Sequence, residues 1–374
     1  MTEKLKTLMD RATDVEFAAV DLAAVVQDGD RVVRRRRLSL VAGTAAVVLV
    51  AGGVALATDH GDDRGDDRTP VVDAPRVTDP TWVEGSVLHS PDRQVDLGTK
   101  VRGYVRTSAG FAFLADDGAV LGYRNGEVRT LGRAWPAGAK EGGDGVRLVA
   151  DQEDGVVGWV DMTGPVPAFV VHDLVTGDER RFDEHLDAGM KGELPDQATF
   201  FALDAGTAYW LDRRGTVMTD LATGRAQVLA DATHLQWIGD VRRGMRVQLV
   251  ESATGGDEGM ELVDPSGRSL ISYRDLGSPG LLSPSGTWVT AYDMGLVWNV
   301  ADHRAVRLVA PSGTDNSGDP IAYEWLDDDT VAAVIEGEND NPTLATCEVP
   351  AGTCTSAATE LDYRTLVLPG RLPG

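Results

Sequence analysis

The side chains able to do chemistry in this sequence are few, and their spacing narrows what they could do. Cys347 and Cys354 are its two cysteines, and they flank the turn EVPAGT. Facing positions on two adjacent strands would bring their Cα atoms within the range of about 4.4 to 6.8 Å that a disulfide spans. In an exported domain the pair is expected to be oxidised, a short-loop staple on the last hairpin. A redox or metal role would need further ligands close by, and the neighbouring sequence has none. The six histidines (His60, His89, His172, His185, His234, His303) stand singly, with no HxH or HExxH pair, so a transition-metal centre would have to be assembled from distant segments. The chain also lacks a GxSxG nucleophile elbow, a GxxxxGK[ST] phosphate loop and a GxGxxG turn, which removes the common hydrolase, nucleotide and dinucleotide signatures. No catalytic, cofactor-binding or metal residue is therefore assigned, no cofactor is expected, and enzyme status has no positive support.

Two residue classes invite a functional reading and have a plainer one. The acidic turns DQEDG (151–155), TGGDEG (254–259), TDNSGD (314–319), DDDT (327–330) and GENDN (337–341) offer oxygen ligands suited to calcium. None matches the DxDxDG pattern, and Asp, Asn and Gly are the residues that turns between strands select in any case. The eight tryptophans (82, 135, 159, 210, 237, 288, 298 and 325) could form a binding surface. Most fall inside apolar runs, so packing is the preferred reading.

The elements that would position these residues follow from a repeat. A strand, a tight turn and a strand are most legible in VVHDLVTGDERRF (170–182). The unit recurs at 120–132, 217–229, 260–272, 296–309 and 344–357. Marked at Gly126, Gly177, Gly224, Gly267, His303 and Gly352, the turns are spaced 36 to 51 residues apart, the period of a β-propeller blade. Upstream of each hairpin lies a second pair of short alternating runs, such as TFFALD and GTAYWLD. Four strands per unit follow. Six units run from about 101 to 357. The leftover runs WVEGSVLHSPDRQVDLG (82–98) and LDYRTLVLPG (361–370) could together supply a seventh blade joining the two ends of the ring. The expected fold class is an all-β ectodomain, a β-propeller of six or seven four-stranded blades with seven favoured.

SPSGTWVTAYDMGLVWNVADHR (283–304) resembles the repeat of TolB-type and WD-repeat-like propellers, whose blades carry SPDG followed by an aromatic and an apolar strand. The likeness implies an architecture and carries no catalytic residue across. This chain departs from the pattern in having one clear SPSG.

Leu38 to Ala57 reads LSLVAGTAAVVLVAGGVALA, twenty residues without a charge. As a helix at about 1.5 Å per residue it would cross roughly 30 Å of hydrocarbon. Arg34, Arg35, Arg36 and Arg37 precede it, and Asp59, Asp62, Asp63, Asp66 and Asp67 follow. Basic residues are retained on the cytoplasmic side, so residues 1–37 are expected inside and the rest outside. A cleaved signal peptide ending near Ala55-Leu56-Ala57 is the competing reading. The 37 preceding residues and the long apolar run favour an uncleaved anchor. The expected domains are a cytoplasmic tail with short amphipathic helices (1–37), a transmembrane helix (38–57), an acidic flexible linker (58–80) and the propeller (81–374). An Arg-rich stop before one membrane helix, an acidic linker and a propeller form a layout similar to that of membrane-anchored proteins of GC-rich, actinobacterial-type bacteria.

Charge closes off one partner class. Residues 1–37 hold eight basic and seven acidic groups, whereas residues 58–374 hold 27 against 52. The electrostatic term that dominates nucleic-acid affinity is therefore repulsive over most of the chain, and no nucleic-acid partner is expected. The leading expectation is a binding or scaffolding module outside the cytoplasmic membrane, for a protein, peptide or envelope polymer. Two alternatives stand beside it. One is an anti-sigma-like regulator signalling through residues 1–37; the other is an exported hydrolase or lyase using carboxylates gathered at a propeller's pore.

Overall fold

Short β-branched and aromatic runs between Asp-, Asn- and Gly-rich turns fold here as strands of two to seven residues, every one paired antiparallel within its sheet. The computed structural model describes residues 79–138, 147–191, 197–234, 236–250, 259–272, 279–291, 295–312, 318–337, 341–359 and 361–370. The expected tail, membrane helix and Arg34–Arg37 lie outside these residues, as does the linker up to residue 78. Among the described residues no helix is long and apolar enough to cross a membrane.

The strands form seven four-stranded sheets. Blade I holds Trp82–Glu84, Val87–Ser90 and Arg93–Asp96, with Leu366–Val367 as its innermost strand. Blade II runs from Val101–Thr107 to Glu127–Arg133, blade III from Val149–Asp151 to Glu179–Phe182, and blade IV from Thr199–Asp204 to Ala226–Asp231. Blade V runs from Ile238–Arg242 to Ser269–Ile271, blade VI from Pro279–Leu282 to Ala305–Arg307, and blade VII from Ile321–Trp325 to Thr353–Ala358. The open question of six or seven blades resolves to seven. The leftover end strands close the ring through the pairs Val83↔Val367 and Glu84↔Leu366, so Trp82–Glu84 is paired on both sides where the ends of the chain meet.

In blades II to VII the first strand of each is innermost, and in blades II to VI it touches the first strand of the next, while the fourth is outermost and largely exposed, as in Glu127–Arg133. The middle strands are buried on both faces, and apolar clusters fill each inter-blade interface. Blades III and IV meet through Phe169, Phe200 and Trp210, with Phe169 stacked on Trp210 at 4.6 Å between centroids, while Trp159 turns to blade II and donates to the Arg133 carbonyl at 3.2 Å. Gly158 lets blade IV approach: a Cβ there would lie 2.5 Å from the Phe200 ring. Seven of the eight tryptophans are buried in such interfaces and Trp237 packs against Phe201, which supports packing over a binding surface.

Many of the described acidic residues between strands act as turn caps. In blades III, IV and V the carboxylates of Asp173, Asp220 and Asp264 accept from the amides of Val175, Thr223 and Ser266 at 2.6 to 2.9 Å. Asn299 does the same in blade VI for Ala301 at 3.0 Å. Asp151 and Asp327 cap two of the turns singled out above through the amides of Glu153 and Asp329. The acidity of this chain is thus partly a consequence of how many hairpins it has to turn.

Candidate functional site

The innermost strands of a propeller leave a space on its axis, and what fills it depends on which side chains turn inward. In five of these strands the pairing slips by one residue, at Val101/Gly103, Phe200/Ala202, Ile238/Asp240, Pro279/Leu282 and Ala322/Glu324. Such a bulge bends the strand and re-aims its side chains. Phe201, Gly239, Leu281 and Tyr323, at four of these slips, line a central cavity of about 120 Å³ together with Ala202, Asp240, Leu282 and Glu324. Its remaining wall comes from Val105 and Arg106 of blade II, Arg147 to Ala150 and Gln152 of blade III, Arg242, Trp325, and Pro369 and Gly370 just after the closing strand.

Five of the lining side chains are ionisable by nature as Arg, Asp or Glu. Arg106 and Glu324 form a buried ion pair, Nη2 to Oε2 at 2.7 Å and Nε to Oε1 at 3.0 Å. The third prong of Arg106, Nη1, donates to the carbonyl of Asp79 at 2.7 Å. Burial pushes the Glu324 carboxyl up, and the Arg106 guanidinium opposes this. Asp240 accepts from the amide of Leu282 at 2.8 Å and stands 3.5 Å from Arg242. Burial raises its pKa as well, with Arg242 pulling the other way. Arg147 is half-buried and donates to carbonyls of two other blades: Nε to Phe200 at 3.1 Å, Nη2 to Phe201 at 2.7 Å and to Ile238 at 3.5 Å. Burial lowers its pKa, and Asp240 offsets part of that.

This arrangement can hold an anion more readily than it can move a proton. Glu324 is held on both oxygens by one guanidinium, and Asp240 accepts from the Leu282 amide with the Arg242 guanidinium 3.5 Å away. Glu324 therefore lacks the free oxygen that a general base presents to a substrate. Among the described residues no group of three His, Cys, Asp or Glu side chains is placed to hold a metal ion. His89, His172, His185, His234 and His303 are spread over different blades and turns, and His60 lies outside the described residues.

The cysteines do meet. Cys347 and Cys354 are directly opposite on the last two strands of blade VII and are disulfide-bonded, with Cα atoms 4.0 Å apart. That separation is tighter than expected. The amide of Cys354 donates not to Cys347 but to the carbonyl of Val309 in the neighbouring segment, at 3.2 Å. The two residues are therefore a non-hydrogen-bonded pair, the closer of the two antiparallel spacings.

Sequence reasoning singled out none of the charged cavity residues, Arg106, Arg147, Asp240, Arg242 and Glu324. A signal was present: in VRGYVRT, IGDVR and IAYEW a charge interrupts an apolar run that forms the innermost strand. An inward charge there must find a partner or a ligand.

No family model matches the chain, and neither does any curated protein, so the expected resemblance to membrane-anchored proteins of actinobacterial type finds no support in these comparisons. Among solved structures it is similar to the computationally designed Ika8 protein, at 14% identity over 76% of this chain and 90% of that one, with a TM-score of 0.45. It is similar also to oligogalacturonate lyase from Vibrio parahaemolyticus, at 10% identity over 74% and 92%, with a TM-score of 0.46. For TolB from Acinetobacter baumannii the values are 11% identity, 72% and 68%, and a TM-score of 0.38. At these TM-scores the likenesses add nothing to the seven blades counted from the strand pairing.

Proposed function

We propose that this chain is a single-pass protein of the cytoplasmic membrane that displays its propeller on the outer side as a binding or scaffolding module for a protein, peptide or envelope polymer. In this reading residues 1–37 form the cytoplasmic tail, 38–57 the membrane helix, 58–80 the tether and 81–374 the ectodomain. The observation that carries it is the uncharged run Leu38–Ala57 with Arg34, Arg35, Arg36 and Arg37 before it and five aspartates soon after. The Cys347–Cys354 disulfide supports an oxidising compartment for the propeller. Binding is preferred to catalysis because both cavity carboxylates are engaged by arginines of the same chain.

Topology is tested with epitope tags at the two ends of the full chain and protease added to intact spheroplasts. Digestion of the C-terminal tag without lysis, and of the N-terminal tag only after lysis, is the expected result. A C-terminal tag that survives until lysis overturns the proposal.

An exported hydrolase or lyase is the second reading, favoured by the gathering of Asp240, Tyr323 and Glu324 at one cavity. It requires Glu324 to be released from Arg106 during turnover.

A further inference from the structure

The central cavity has a charge imbalance. Three guanidinium groups, from Arg106, Arg147 and Arg242, face two carboxylates, from Asp240 and Glu324. Glu324 is committed to Arg106 by two contacts. Asp240 lies 3.5 Å from Arg242 and acts on Arg147 electrostatically, so one carboxylate serves two cations. Among the described residues Arg147 forms no ion pair, and its partners are the neutral carbonyls of Phe200, Phe201 and Ile238. A surplus positive charge therefore sits on the axis of a chain whose formal charge is −24. Leaving a partly buried charge uncompensated is costly, and an anion from solution relieves it.

We infer that the central cavity binds a small monocarboxylate, its carboxylate between Arg147 and Arg242 and its short apolar stem against Leu148, Phe201 and Leu281. Each part of that description has a source. The planar fork of a guanidinium matches the two oxygens of a carboxylate. One surplus positive charge is neutralised by a monoanion, whereas a dianion would leave Asp240 facing a net negative ligand. A volume of about 120 Å³ is well below the roughly 300 to 1,000 Å³ of a drug-sized site, and limits the ligand to a small organic anion that takes the place of about four waters at about 30 Å³ each. Leu148, Phe201 and Leu281 give an apolar stem a surface to lie against. The inference rests on the binding-module reading and deepens it by naming a ligand class for the cavity.

The test is calorimetric titration of the full detergent-solubilised chain with butyrate at pH 7, with succinate and inorganic phosphate as comparators. Saturable butyrate binding, weaker succinate and phosphate binding, and a loss of about tenfold or more in R147Q are expected, from the removal of a charge-assisted contact. Arg147 also braces three carbonyls, so R147K, which keeps the charge and loses the fork, is measured beside it and should fall between the two. Wild-type chain that shows no saturable heat up to about 100 mM butyrate overturns the inference without reference to any variant. So does phosphate or succinate binding more tightly than butyrate, or R147Q and R147K both binding butyrate as wild type does. The two readings fail separately: a silent titration with an externally digestible C-terminal tag removes the carboxylate site alone, and saturable butyrate binding with a protected tag removes the membrane topology alone.

Discussion

Arg106 and Glu324 stand 218 residues apart in the chain and form a two-pronged ion pair with side chains 4% and 2% exposed. They join blade II to blade VII across blade I, whose innermost strand is the two-residue Leu366–Val367. The same corner holds both ends of the ring: Arg106 donates to the Asp79 carbonyl at 2.7 Å, and the Gly370 amide donates to the Tyr104 carbonyl at 2.8 Å. The pair acts as a clasp where backbone pairing is thinnest. Removing one partner strands a buried charge, so Glu324→Gln is expected to cost about 3 to 5 kcal/mol. The double change Arg106→Met with Glu324→Leu should cost much less, since it removes both charges and keeps apolar bulk. Urea unfolding of the full chain checks both, and equal losses in the single and double variants would count against the clasp.

The blades were legible in the sequence because their determinants are local. A turn such as Asn125-Gly126, with φ of 53° and 83°, declares its hairpin within four residues, and VVHDLVTGDERRF pairs almost as written, from Phe169↔Phe182 to His172↔Glu179. The leftover runs near residues 82 and 366 were legible for a different reason, since a ring of four-stranded units has one place for them. The cavity was not legible. Whether Glu324 points inward depends on the slip between Ala322 and Glu324, and its partner is set by ring closure rather than by any spacing along the chain. The contact between the disulfide hairpin and Val309 was hidden likewise, because it joins different blades.

The disulfide should stabilise one corner more than the whole. Cys347 and Cys354 are seven positions apart, and the chain-entropy estimate for so short a loop is about 2.5 kcal/mol. Cys347→Ser with Cys354→Ser is expected to lower stability by up to that amount. The amide of Val309 bonds to the Gly352 carbonyl at 2.8 Å and its carbonyl accepts from Cys354, so faster hydrogen exchange at Val309 and Cys354 should accompany the loss. Uniform exchange changes across all seven blades would be the wrong outcome.

His303 occupies a position that glycine holds in its sister turns. The amides of Gly177, Gly224 and Gly352 each donate to the carbonyl four residues earlier, and the His303 amide does the same to Asn299. All four have positive φ, 58° at His303 against 71° to 80° at the glycines. A side chain in the left-handed region costs about 1 to 2 kcal/mol, and the extra freedom of glycine in the unfolded chain returns about 0.5 to 1 kcal/mol of that. His303→Gly is therefore expected to stabilise the protein by about 0.5 to 1 kcal/mol, read as a raised urea midpoint. A lowered midpoint would mean that the imidazole makes a contact worth more than the backbone strain.

Acid sensitivity should follow from the turn caps. Hydrogen bonds from the Thr233 hydroxyl and amide hold Asp231 down to about 2, and the Ser266 hydroxyl and the Arg268 amide do the same for Asp264. The Thr223 amide lowers Asp220. Such a group in the unfolded chain takes its proton near 3.8. Between those values the unfolded chain binds more protons, so the stability these caps contribute is present above about pH 4 and is lost as pH falls through 2. Burial raises Asp151, Asp240 and Glu324, which shifts the balance the opposite way: their contribution falls as pH rises from the ordinary carboxylate range through their raised values. Asp264→Asn separates the capping role from the titration, because Asn299 already caps the equivalent turn of blade VI as a neutral amide. The ion pair it removes, Arg268 to Asp264 at 3.1 Å, is largely exposed on the Arg268 side and contributes little. The variant should match wild type in thermal unfolding at pH 7 and lose stability less steeply between pH 4 and 2. Parallel acid limbs in the two proteins would show that the cap's charge is not what the acid removes.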